Sequence, residues 1–116
     1  MVSATQERAL LDSLAKNDVV FLGEHHNKDE DHMLQATIIR GLAERRKGKV
    51  AIGLEMVQTQ FQPALDAYVN GDIKDEAAAE KALYDGVQWA ERWQVRVQGH
   101  KTYGVGAQGR RLCTCT

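Results

Sequence analysis

Apolar residues recur along this chain in blocks whose spacing changes, and each change marks an element. Leu10, Leu11 and Leu14 lie at helical spacing. Ser3 precedes them with Gln6 three residues on, a capping-box pattern in which each side chain meets the other's backbone, so a helix is expected from there. Asn17-Asp18 interrupts the stripe. Val19-Val20-Phe21-Leu22 is then continuous, β-branched and aromatic. That pattern predicts a buried strand rather than an alternating edge strand, closed by Gly23. From about Asp29 to Arg46 the period becomes helical again, with Met33, Leu34, Ile38, Ile39 and Leu42 on the apolar side. Basic residues at its end favour the helix dipole, and Gly48 is the expected stop.

Val50-Ala51-Ile52-Gly53-Leu54 is a second apolar run, leading into Glu55. Strand, helix, strand predicts a βαβ unit with two parallel strands and a right-handed crossover. The expected fold class is therefore α/β, a parallel β-sheet flanked by helices. Thr59 is the expected cap of a further helix, with Pro63 in its first turn, where a missing N–H does little harm. Phe61, Leu65, Tyr68 and Val69 give that helix one face, and Gly71 closes it. Asp72 to Tyr84 reads as an acidic, alanine-rich surface helix, and Trp89 and Trp93, four apart, share a helical face.

Charge divides the chain. Residues 1–94 carry 11 Lys and Arg against 16 Asp and Glu, whereas residues 95–116 carry four basic residues (Arg96, Lys101, Arg110, Arg111) and no acid. Residues 1–94 read as the folded part. Residues 95–116 read as a divergent tail containing Gly, Arg and Cys: either a flexible basic segment or the translation of a wrong frame or an intron. Cys113 and Cys115, one residue apart, are poorly placed for a mutual disulfide and too few for a zinc framework. The net charge of −1 lacks the basic surplus of a nucleic-acid binder. No apolar run is long enough to span a membrane. Glu7, Asp12 and Asp18 interrupt the first twenty residues, so no secretory signal is expected in them.

Two clusters carry chemistry, each after a predicted strand, where ligands bind in open parallel sheets. The first is Glu24, His25 and His26, followed by Asp29, Asp31 and His32. In extended backbone Glu24 and His26 point one way and His25 the other, while Asp29 and His32 share a helical face. The second is Glu55. Imidazole and carboxylate together suit a divalent metal such as zinc, iron or manganese, and equally general acid–base work. Polar loop chemistry alone produces the same pattern.

Val19 to Leu22, Gly23-Glu24-His25-His26, His32, Gln35 and Ile52-Gly53-Leu54-Glu55-Met56, with Gln62-Pro63-Ala64-Leu65-Asp66-Ala67-Tyr68, Asn70-Gly71 and Trp89 to Trp93, resemble the ChaN-like haem-binding uptake proteins of the Tiki superfamily. The resemblance covers roughly residues 10–94. It implies an α/β domain whose Gly-Glu-x-His loop and later Glu line one pocket, with haem as the expected cofactor or a divalent metal ion as the alternative. Carried over by position, Glu24, His26 and Glu55 are the expected binding residues, with His32 a weaker metal ligand and His25 at the variable position. Distant superfamily members resemble metal-dependent proteases or erythromycin esterases, and in that reading Glu24, His26 and Glu55 would serve catalysis. Family domains are longer and carry a later Gly-x-x-His-type motif. The expectation is therefore the N-terminal part of such a domain, incomplete, and in a third reading without independent function. A small-molecule partner and self-association along the edge of the 50–54 strand are expected. Plant and algal relatives resemble organellar proteins, which would fit a transit peptide upstream of Met1.

Overall fold

The computed structural model describes residues 3–92 and 111–114. Trp93, His100, Tyr103, Cys115 and most of the predicted tail lie outside the described residues. Helix α1 (Ala4–Leu14) starts on the expected box: the Gln6 amide donates to Ser3 Oγ at 3.2 Å, and the Ser3 amide donates to Gln6 Oε1 at 2.9 Å. Of its apolar stripe only Leu11 is buried. Leu11 seats against Gly41 of α2 (Asp29–Arg45) so closely that a Cβ added at Gly41 would stand 2.6 Å from Leu11 Cδ1. An Arg45–Asp12 ion pair of 2.8 Å joins the same two helices.

Helix α2 buries only part of the face that its apolar spacing predicts: Ile38 and Ile39 are buried and Leu42 half-buried, but the first turn departs from it. Met33 and Leu34 are 52% and 57% exposed, while His32 and Gln35 are buried beside Ala36, Ile38, Ile39 and Ala43. The helix is turned toward the chain segment before it, whose backbone has polar groups to satisfy. Its end is a Schellman turn. The Gly48 amide donates to Ala43 O at 2.8 Å and the Lys47 amide to Glu44 O at 3.4 Å. Lys47, with φ of +52°, occupies the left-handed position that glycine favours, and Gly48 follows at +78°. The stop thus begins one residue before the expected glycine.

Strand β1 (Ala51–Leu54) forms where the second apolar run predicts it. The first run does not form a strand, and this overturns the expected fold class. Val19 is 68% and Phe21 93% exposed. Exposure alternates residue by residue from Val19 to His26, as in extended backbone, yet no ladder joins this segment to β1. The described residues are mostly helical, and β1 is the only strand among residues 3–92. Its one ladder runs, parallel, to β2 (Arg111–Thr114), from Ala51 opposite Arg111 to Leu54 opposite Thr114. The expected α/β fold, a parallel sheet flanked by helices and built on the first run and β1, is therefore not shown: the described residues are mostly helical, and their strand pairing is confined to this four-residue ladder. Backbone satisfaction within helices is local, whereas a parallel ladder needs a partner strand in register.

After β1 a 3₁₀ turn (Thr59–Phe61) leads into α3 (Gln62–Val69), with Pro63 in the first turn as expected. Thr59 begins the turn rather than capping the helix. Gly71, φ +69°, makes a Schellman stop through its own amide to Tyr68 O and the Asp72 amide to Ala67 O, both 3.1 Å. Asp75 caps α4 (Glu76–Gly86) through the Ala78 amide at 2.8 Å, and α5 (Trp89–Arg92) follows. The core joins Ile39 of α2, Ile52 of β1, Met56, Val57, Leu65, Tyr68, Ala79, Leu83, Val87 and Trp89. Tyr84 meets Trp89 edge-to-face, ring centroids 5.7 Å apart.

Two predictions follow from these contacts. Lys47→Gly removes the left-handed penalty and is expected to raise stability by about 0.5–1 kcal/mol in chemical denaturation; a loss would mean that Lys47 does not hold that conformation. Gly41→Ala, usually favourable in a helix, is expected to destabilise by about 1–3 kcal/mol through overpacking against Leu11. Combined with Leu11→Ala, its cost should fall; strict additivity would contradict the close approach.

Candidate functional site

The loop between the extended segment and α2 brings three of the expected residues together. Glu24 and His26 lie on the inward side of the alternation and His25 on the outward side, as two-residue spacing requires. The His25 side chain is 70% exposed, that of His26 39%, and that of Glu24 only 11%. Glu24 Oε1 accepts from His26 Nδ1 at 2.9 Å, and Glu24 Oε2 meets His32 Nδ1. One carboxylate is thereby shared between two imidazoles.

His32 is 1% exposed and both its ring nitrogens face oxygen. Its Nε2 lies 3.1 Å from His26 O, a carbonyl that can only accept, so Nε2 carries a proton. Its Nδ1 faces Glu24 Oε2. One turn further along α2, Gln35 Nε2 donates to Leu22 O at 3.2 Å, meeting a carbonyl that a ladder would otherwise use. His32 and Gln35 are three apart on one helical face, and together they hold the segment carrying Glu24 onto α2.

On the outer side, Asp31 Oδ2 accepts from both the His25 amide at 2.8 Å and His25 Nδ1 at 2.9 Å. The His25 amide first, and its ring second, hold the Asp31 carboxyl below the usual carboxylate range. Asp29, expected on the same helical face as His32, is exposed in the first turn of α2. It is Asp31 that closes the loop.

Glu24 also lines a cleft of about 430 Å³ between the extended segment, α2 and β1. Glu55 lines the same cleft from the end of β1 and is exposed. The walls between are largely apolar, formed by Val20, Leu22, Ile39, Ile52, Leu54 and Trp89 among others. Tyr84 is on the wall too, and burial pushes its phenol far above the usual range, so it stays protonated. Among the described residues no group of three or more His, Cys, Asp or Glu is arranged to hold a metal ion. Both oxygens of Glu24 are instead engaged by imidazoles.

Sequence spacing leads to Glu24, His26, His32 and Glu55 as site candidates but passes over Gln35, Tyr84, Arg46 and Lys49 in that role. Gln35 was signalled by its position one turn after His32. Arg46 and Lys49 read as a solvated helix end, and only the fold of the cleft brings them to its wall.

No helix among the described residues is long and apolar enough to cross a membrane. No curated protein and no solved structure matches the chain. The profile of one family, described as "Haem-binding uptake, Tiki superfamily, ChaN", matches residues 10–103, running past Gln94 to Tyr103. The match takes in the extended segment, the Glu24–His26–His32 cluster, Glu55 and all of the core. By this match over most of its length, the chain belongs to the ChaN-like haem-binding uptake family of the Tiki superfamily.

Proposed function

We propose that this chain binds haem in the cleft between the extended segment and β1, with its iron-facing chemistry supplied from the Glu24, His26 and Glu55 end. The observation that carries the reading is the composition of that cleft: apolar walls, with two carboxylates where the segment and β1 end. Ligand pockets for apolar molecules are of this size and kind, mostly hydrophobic with a few placed polar groups. The residues fit a porphyrin. Val20, Leu22, Ile39, Ile52 and Leu54 offer aliphatic surface to a flat ring, and His26, which is not on the cleft wall itself, stands 2.9 Å from Glu24, which is. An imidazole held by a carboxylate is oriented and made more basic as a ligand.

The division of labour follows from burial. Glu24 and His32 are the inner pair and position the loop. His26, more exposed, is the residue we assign to the iron. Glu55 faces the cleft from β1 and sets the charge opposite Glu24. Bound haem would supply a Lewis-acidic, redox-active iron whose properties its axial ligand and surroundings tune.

Titration of the full chain with haem, followed by absorbance, tests this directly. A saturable Soret shift is expected. His26→Ala should move the band position of the complex, and Glu24→Gln should weaken binding about 10- to 100-fold, the usual effect of removing a ligand's orienting partner. Val20→Trp, which fills the cleft, should weaken binding while helical circular dichroism stays unchanged. Haem binding that none of the three substitutions alters would place the ligand elsewhere and overturn the assignment.

A further inference from the structure

One side of the cleft is the free edge of a strand, and we infer that an extended peptide of about six residues adds there to β1, antiparallel to it. Residues 49–57 all line the cleft without a gap, whereas beyond Asp18 the segment opposite contributes only the alternate residues Val20, Leu22 and Glu24. Successive side chains of a strand point to opposite faces. A wall of consecutive residues is therefore backbone edge, and a wall of alternate ones is side chain. β1 pairs with β2 along its other edge, and among the described residues no strand pairs with the edge that opens into the cleft. In a ladder alternate residues turn their N–H and C=O to opposite sides. Two of the four residues Ala51–Leu54 thus aim both groups into the cleft.

Unpaired backbone along a strand edge recruits another backbone, because it needs donors and acceptors at the repeat of a chain. A porphyrin offers apolar surface but no such row. Ile39 and Leu42 of α2 form apolar wall beside β1, so apolar residues belong at the alternate peptide positions that turn toward α2. The ends supply the direction. Arg46 and Lys49 line the cleft at the start of β1, with the acid Asp18 beside them, and Glu55 lines it at the end. Arg46 is held there by donating from Nη2 to Asn17 O at 3.0 Å. Among the described residues neither cation nor Glu55 has an ion pair. Six extended rises from Lys49 to Glu55 make about 20 Å. That is the length of a hexapeptide whose carboxylate meets the two cations and whose ammonium meets Glu55. A peptide so placed and haem exclude one another.

Magnetic resonance of the full chain, titrated with a free hexapeptide of alternating valine and threonine, tests this. Alternate β1 amides are expected to gain protection from hydrogen exchange as the peptide saturates. Two further versions carry N-methyl groups on opposite sets of alternate residues. One should bind about tenfold more weakly, by loss of its hydrogen bonds to β1, and the other within about threefold of the parent. Acetylating the amine and amidating the carboxylate should weaken binding about fivefold. Methylated versions that bind alike, no protection at β1, or a blocked peptide that binds as well as the free one overturns the proposal. Protection that grows with chain concentration without peptide also overturns it, by placing a second copy on the edge. Haem and peptide are separable. Protection of β1 in a chain that gives no Soret shift leaves this inference standing without the haem assignment. Haem binding lost on Val20→Trp, with no peptide bound by the unsubstituted chain, does the reverse.

Discussion

A histidine that is 1% exposed, with a carboxylate on one ring nitrogen and a backbone carbonyl on the other, is the contact on which the candidate site depends. His32 and Glu24 come from different parts of the chain, one from the first turn of α2 and one from the end of the extended segment. Burying an imidazole without partners costs about 1–3 kcal/mol, so the pair is bound to persist together or be lost together. Because the His26 carbonyl is the second partner, the same ring fixes the loop that presents His26. Gln35 repeats the device one turn on, taking the Leu22 carbonyl.

That arrangement explains how a segment with strand composition lies extended without a ladder. Val20, Leu22, Glu24 and His26 face inward and Val19, Phe21 and His25 outward, so half of its apolar residues are on the surface. The space between the segment and β1, which a paired strand would have closed, is the cleft. Fold and proposed site are thus two aspects of one feature: α2 supplies polar side chains in place of a neighbouring strand, and an apolar channel with charged ends is left alongside.

Local signals were legible in the sequence wherever the physics is local. The Ser3–Gln6 box, the extent of α2, Pro63 in the first turn of α3, the Gly71 stop and the β1 run all depend on residues within a turn of one another. The side on which Glu24, His25 and His26 lie was also legible, because alternation needs only extended backbone. Pairing was not. Val19 to Leu22 and Val50 to Leu54 have equal claims to be parallel neighbours, and no pattern within either says that β1 takes Arg111–Thr114 instead. The first turns of α2 depart from the pattern for the same reason, although Ile38 and Ile39 are buried as their spacing predicts. Its apolar stripe favours Met33 and Leu34, but His32 and Gln35 are buried to meet backbone groups contributed by a distant segment. The residues of the site were therefore visible, whereas the sheet expected to carry them was not.

The most direct test of this account is proton-detected nitrogen correlation spectroscopy of the His32 ring in the full chain. The account predicts a slowly exchanging proton on Nε2, protected from solvent and close to His26. A His32 ring whose protons exchange with water as fast as those of His25 would contradict it, because the loop would then have no buried anchor.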